Sequence, residues 1–263
     1  MLEFLNNGLW YQLANGKESW VFILVTSSFV ILSALAGYLL GSINSAIIVS
    51  KALYGDDIRN HGSGNAGLTN MLRTYGKGAA GLTLLGDFLK TAISVLIGGI
   101  LGGFGYVGLI SIGGISQGTF PLAYIAGLFS IIGHVYPLFY KFKGGKGVLC
   151  TAVMALILNP IEFLILIALF VLIVWISKFV SLGSVSVAVL YPVAVYGHIS
   201  VILRDIPKTE RPATGILLLI TIVIAIMIVY MHRENLKRIS NGTERKLSVG
   251  GKKKKDAAGG KSE

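Results

Sequence analysis

From Trp20 to Leu40 the chain carries no charged side chain, and as a helix rising about 1.5 Å per residue this run is long enough to cross a hydrocarbon core about 30 Å thick. Apolar runs recur at 79–101, 119–140, 161–176, 182–199 and 213–231, with a shorter one at 148–158. Charged residues make up only 13% of the chain, against about 25% in a soluble domain. That is too little polar material to cover a water-facing surface, so lipid is the solvent for much of the molecule. The fold expected is an all-α integral membrane protein, a polytopic bundle of about seven transmembrane helices. The first run is too long for a signal-peptide core and lacks a basic lead-in, so it reads as a retained span. Cys150 is the single cysteine, which excludes an intrachain disulfide and a cysteine metal cluster.

The span count turns on 148–158. Eleven residues reach about 16 Å as a helix, half a bilayer, and Asn159-Pro160 follows at once. If the segment crosses, there are seven spans; if 148–176 is a shallow hairpin, there are five. The charge-free segment 102–118 is either a loop or an extension of its neighbours.

Lysine and arginine counts set the orientation. Eighteen of the 23 fall in 50–77, 141–146, at Lys178 and beyond Met231, whereas only Lys17, Arg204, Lys208 and Arg211 lie in the opposite set. The positive-inside rule places the larger set in the cytoplasm, with the N-terminus outside and the C-terminus inside. Three regions follow: an extracellular segment 1–19, a membrane-embedded domain 20–240, and a basic cytoplasmic tail 241–263 of low complexity, expected to be disordered. The net charge of +11 sits mostly in the tail and the cytoplasmic loops. It is explained by orientation and by attraction to anionic lipid, and no nucleic-acid partner is expected.

Four polar stretches carry the candidate chemistry. In 57–73, three glycines lie within six residues around Ser63 and Asn65, followed by Asn70 and Arg73. Glycine lets backbone N–H groups wrap an anion, a following helix aims its positive end at the same place, and arginine adds a forked donor. Phe142–Val148 holds Gly144, Gly145, Lys146 and Gly147; it has a phosphate loop's logic without the spacing of a nucleotide P-loop, and a basic topology turn explains it equally well. His232 and Asn235 stand three apart at the exit of the last apolar run, where histidine is a base, a charged donor to phosphate or a juxtamembrane cap. Ser181 and Ser184 flank a turn after Lys178, with helix capping the simple account of Ser181. Within the spans, Asp87 and Lys90 form an ion pair or meet substrate, and His134 is read as making a structural hydrogen bond.

The pieces GSINSA, DIRNHGSGNAGLTNMLRTYGK, DFLK, GHVYP, FKGGKGV, VSLGS and HRENLKRISNGTE, in this order from about residue 41 to 244, resemble the acyl-phosphate:glycerol-3-phosphate acyltransferase family, PlsY. The resemblance implies seven helices, a bacterial cell-membrane location and an active site facing the cytoplasm. It implies transfer of an acyl group from acyl phosphate to glycerol 3-phosphate, giving 1-acyl-glycerol 3-phosphate in phospholipid synthesis. Carried over by position, the catalytic set is Ser63, Arg73, Lys146, His232 and Asn235. Substrate binding falls to Asn65, Asn70, Gly144, Gly145, Gly147, Ser181 and Ser184. Lys178-Phe179 replaces the family's usual Arg-Tyr, and Leu68 stands where alanine is common.

An acyl phosphate is already activated, so cationic and backbone donors suffice, and no protein nucleophile, cofactor or metal is expected. The partners implied are the two substrates and membrane lipid, with no obligate protein partner. The resemblance favours the substrate's own phosphate taking the proton, with His232 as base the second choice. Acyltransferases of the His-x4-Asp type are excluded, because Ala66, Phe139, Leu203 and Lys237 occupy the positions where that aspartate would stand. The competing class is a membrane transporter for an organic phosphate, but no paired inverted repeat is visible and the polar motifs gather on one face rather than at midplane.

Overall fold

The computed structural model describes residues 2–14, 16–103, 121–202, 204 and 215–247. Eleven α-helices occur among them: α1 (Leu2–Ala14), α2 (Ser19–Gly41), α3 (Ser45–Tyr54), α4 (Leu68–Tyr75), α5 (Lys77–Gly102), α6 (Leu122–Val135), α7 (Val148–Leu158), α8 (Pro160–Ser177), α9 (Val180–Ile202), α10 (Gly215–Met231) and α11 (Arg233–Ser240). Five stretches are long and apolar enough to cross a membrane: Ser19–Tyr54, Lys77–Gly102, Leu122–Tyr140, Pro160–Ser177 and Val180–Val201. A sixth is reached by taking α10 with α11 across a 52° bend. The chain is thus all-helical and multi-span. The seventh expected crossing, α7, has only 11 residues and falls short by length. The expected ends at 119 and 213, and the segment 104–118, lie outside the described residues.

Helices in lipid gain no hydrophobic drive from meeting one another, so they associate through close backbone approach over small residues. The α2–α6 seam works this way. Gly37 lies against the carbonyl of Ala126, Gly41 against that of Ser130, and Gly133 against that of Tyr38, each so close that a Cβ would overlap the backbone. Apolar side chains such as Leu24, Leu164, Trp175 and Ile226 face outward, as a lipid solvent requires. Inside the bundle, Asp87 and Lys90 of α5 form an ion pair at 2.8 Å; Lys90 also donates to the Ile43 carbonyl at 2.8 Å and stands 3.0 Å from Nδ1 of His134. The structural readings of Asp87, Lys90 and His134 therefore hold, although Asp87 and His134 also reach the cavity described below.

The segment 1–19 is more than a leader to the first span. Trp10 and Ala14 are buried in the main core, and Trp10 Nε1 donates to Thr26 Oγ1 at 2.8 Å. Gly8 abuts the backbone of Gly102 and Gly103, at the end of α5 remote from Lys77. This end of the bundle lies opposite the polar loops. Those loops converge on the other end: the Arg59 guanidinium donates to the Tyr140 carbonyl at 2.8 Å, Ala66 N–H to the Gly144 carbonyl at 3.4 Å, and Leu247 N–H to the Lys178 carbonyl at 2.7 Å.

Candidate active site

The first polar loop is built around two side chains. Asp57 accepts from the N–H and Nε of Arg59, at 3.0 and 2.9 Å, and the guanidinium holds its carboxyl down to about 2. Asn70, buried on α4, accepts from Ser63 N–H at 3.0 Å and donates to the carbonyls of His61 and Asn65 at 2.9 and 3.0 Å, with that of Ile58 at 3.3 Å. Its polar atoms are thus committed to the loop. Asn70, expected to bind substrate, is the post on which the loop carrying Ser63 and Asn65 is wound, and it also borders the cavity described below. Gly62 (φ +60) passes so near the Asn70 amide that a Cβ would overlap it.

Lys146 is brought in by the next turn. Gly144 N–H donates to the Val135 carbonyl at 3.1 Å and Gly145 N–H to that of His134 at 3.0 Å. These two glycines do not line the cavity, and their N–H groups already satisfy the last carbonyls of α6. The expectation that they cradle a ligand is corrected accordingly. They are glycines because a Cβ at 144 would overlap the His134 carbonyl and one at 145 the His134 ring. Gly147 takes φ +81, turns the chain into α7 and does reach the cavity.

Lys146 Nζ donates to Asn235 Oδ1, and Asn235 Nδ2 donates to Glu244 Oε1 at 2.7 Å. Glu244 also accepts from Ser181 Oγ at 2.9 Å and from Arg238 Nε at 2.8 Å, and these donors hold its carboxyl below the usual range. The result is a chain of polar contacts joining the second turn, the start of α9 and α11. Burial pushes the Lys146 ammonium down to about 8, with Glu244 opposing the shift and Arg238 and Arg73 adding to it. His232 is buried, with Nδ1 2.8 Å from the Ile228 carbonyl. Since a carbonyl only accepts, Nδ1 carries the proton and Nε2 of the neutral ring is left as an acceptor. Burial and the Lys146 charge hold the imidazole down to about 4, so the ring is neutral at ordinary pH.

Ten of the twelve expected site residues line one cavity of about 410 Å³: Ser63, Asn65, Asn70, Arg73, Lys146, Gly147, Ser181, Ser184, His232 and Asn235. The starts of three helices border it, through Leu68 and Thr69 of α4, Val148 and Leu149 of α7, and Val180 of α9. Each helix start carries unpaired N–H groups and a partial positive charge. With Arg73 and Lys146, this makes the end of the cavity at the loops a place for anions. Arg73 makes no hydrogen bond or ion pair with another described residue, so its fork is free. The other end is an apolar arm between α7, α8 and α9, walled by Ala152, Ala155, Phe163, Leu166, Ala188 and Tyr191. One cavity therefore offers a polar head site and an apolar tail site. Among the described residues, no group of three His, Cys, Asp or Glu converges as a metal-ligand set.

Two site residues escaped sequence reasoning. Glu244 and Arg245 both line the cavity, though 241–247 were assigned to a disordered tail. The signal was present, since the piece HRENLKRISNGTE ends on Glu244, but its place beyond the last helix made it read as tail. The rest of that tail, 248–263, lies outside the described residues.

The glycerol-3-phosphate acyltransferase family profile matches residues 31–242. Glycerol-3-phosphate acyltransferase from Syntrophotalea carbinolica is 37% identical over 226 residues, covering 86% of this chain and 100% of that one. The Bacillus subtilis protein of the same name is 36% identical, covering 83% and 97%. The fold is similar to a crystal structure of PlsY (YgiH), an integral membrane glycerol 3-phosphate acyltransferase in its glycerol 3-phosphate form, with a TM-score of 0.66, 32% identity, and 83% and 96% of the two chains covered. A second structure of that enzyme, in its lysophosphatidic acid form, matches with a TM-score of 0.62 at 29% identity over 82% and 94%. The chain belongs to the glycerol-3-phosphate acyltransferase family and is a multi-pass membrane acyltransferase of phospholipid synthesis.

Proposed function

We propose that the acyl donor is an acyl phosphate and that the reaction is a direct transfer in the cavity. The 1-hydroxyl oxygen of glycerol 3-phosphate attacks the acyl carbon, the bond from that carbon to the phosphate oxygen breaks, and inorganic phosphate leaves. The hydroxyl proton ends on a phosphate oxygen, and the product is 1-acyl-glycerol 3-phosphate. The observation that carries this reading is the convergence of three helix starts with Arg73 and Lys146 on one head site that continues into an apolar arm. Two phosphate-bearing substrates, one with a fatty tail, fit such a cavity in charge and in polarity.

Arg73 and Lys146 hold phosphate, assisted by Ser63, Asn65, Gly147, Ser184 and the helix-start N–H groups. Asn235 and Ser181 act mainly through Lys146 and Glu244, which they bond. His232 orients the attacking hydroxyl by accepting its hydrogen bond at Nε2. A ring held near 4 is a weak base, which supports the substrate's phosphate as final proton acceptor. The seven-span count follows if α7 and the two helices beside it seat the site in the cytoplasmic leaflet of the cell membrane. The clustering of Lys51, Arg59, Lys143, Lys178 and Arg238 at the loop end supports that orientation, with the N-terminus outside.

The donor is tested with purified protein and palmitoyl phosphate, palmitoyl-CoA or palmitoyl acyl carrier protein, following lysophosphatidic acid. Turnover with the phosphate alone is expected, and efficient turnover with either thioester in its absence refutes the reading. Cysteines placed at 63 and 181 in a Cys150→Ala background are expected to resist an impermeant thiol reagent outside intact cells. Rapid external labelling reverses the orientation.

A further inference from the structure

The apolar arm has a built end. Along α9 it descends from Ser184 to Tyr191, seven residues or about 10 Å of helix. Small side chains leave the room: Ala152 and Ala155 on α7 and Ala188 on α9. Tyr191 is the lining residue of α9 farthest from the loops, 1% exposed, with its hydroxyl donating to Asn159 Oδ1 at 2.8 Å. Asn159 occupies the break between α7 and α8, where its own N–H reaches back to Ala155 at 2.7 Å. Pro192 follows Tyr191 directly and has no N–H to give the Ala188 carbonyl, so α9 loses a rung at the same level. Glu162, buried in the first turn of α8, stands beside the arm's Phe163 and bonds His198 Nδ1 at 2.5 Å, and its second oxygen has no hydrogen-bond partner among the described residues. The far wall is thus an aromatic ring backed by a buried polar layer. An advancing methylene chain would have to break the Tyr191–Asn159 bond and bring hydrocarbon against a carboxylate.

We propose that Tyr191, fixed by Asn159, sets the acyl-chain preference of the enzyme, with Ala155 and Ala188 as the side walls that define the room above it. This rests on the acyl-transfer reading of the same cavity. The donor's tail is already in lipid before it binds, so entering an apolar arm gains little transfer energy. Discrimination between chain lengths must come from packing: a chain that fits is held without strain, and one that meets the ring has to distort or leave its wall.

The test is the ratio of kcat/KM for stearoyl phosphate to that for lauroyl phosphate, measured in one lipid–detergent mixture for the parent and four variants. Over-filling a packed site is expected to lower the ratio about tenfold in Ala188→Phe and in Ala155→Leu, which narrow the arm from different helices. Tyr191→Ala should raise it by a similar factor. Tyr191→Phe keeps the ring and loses the bond to Asn159, so its ratio should rise only part of the way toward that of Tyr191→Ala, with a fall in thermal stability. KM for glycerol 3-phosphate should stay within about twofold in every folded variant, because the head site is untouched. Parent-like ratios in Ala188→Phe, Ala155→Leu and Tyr191→Ala overturn the proposal. So does a Tyr191→Phe ratio shifted as far as that of Tyr191→Ala. The series is run in parallel with acyl-CoA donors: turnover with these alone defeats the acyl-phosphate reading, yet their length profile still decides the role of Tyr191.

Discussion

Lys146 should give the enzyme an alkaline limb. Its ammonium is pushed down to about 8 by burial and by the Arg238 and Arg73 charges, against the pull of Glu244. The charged form is therefore complete well below pH 8 and is lost as pH rises through it: about nine-tenths charged at pH 7 and about one-tenth at pH 9. A charge-assisted contact to phosphate is worth roughly 1.5–3 kcal/mol, or about ten- to a hundredfold in affinity. KM for glycerol 3-phosphate should be flat from pH 6 to 7.5, climb about tenfold per unit above pH 8, and level off once the contact's worth is spent. Bound phosphate raises the pKa in the complex, so kcat should bend later than kcat/KM. Phosphate release, corrected for spontaneous donor hydrolysis at each pH, reads both. Lys146→Arg keeps its charge throughout and should lose the limb, even if its longer fork costs activity at every pH. A parent KM that stays flat through about pH 9.5, or an identical limb in Lys146→Arg, refutes the assignment of this ammonium to substrate phosphate.

Three further outcomes follow from the geometry. His232→Gln, whose side-chain oxygen can still accept from a hydroxyl, should lose about tenfold in kcat/KM, whereas His232→Ala should lose more; a loss beyond about a thousandfold in the glutamine variant at unchanged KM would make histidine the base after all. Asn70→Ala strands Ser63 N–H and the carbonyls of His61 and Asn65, so thermal unfolding should show a loss of about 1–3 kcal/mol with weakened activity, and a wild-type melting curve would deny it the scaffold role. Gly41→Leu should abolish folded protein by forcing α2 off the Ser130 carbonyl, and a monodisperse, active variant would show that this seam tolerates separation.

The sequence announced lipid as solvent and named most of the cavity, because both are written locally. Runs without charge mark spans, and glycine with hydroxyl, amide and cationic residues marks anion sites. What it could not convey is which polar atoms are already spent. Asn70 and Asn65 look equivalent in the chain and both line the cavity, yet the Asn70 side chain is the one bonded throughout to the loop. Gly144, Gly145 and Gly147 look equivalent too, but two of them close off the end of α6. Long-range bonding also erased Glu244 from view: its partner Ser181 lies 63 residues away, and the link from Lys146 to Asn235 spans 89. Likewise, nothing in the composition of 1–19 announced that Trp10 would enter the core.

The bond from Leu247 to Lys178, and the Glu244 carboxylate that precedes it, give the order of synthesis a meaning. All but one of the helices that wall the cavity are complete at residue 231, yet α11 and the Glu244 contacts that hold Asn235 and Ser181 do not exist until about thirteen more residues have been added. Insertion into the membrane therefore precedes competence. A chain stopped at residue 231 would carry α10 but neither Asn235 nor Glu244, and so would lack the polar contacts that join Lys146 to Ser181.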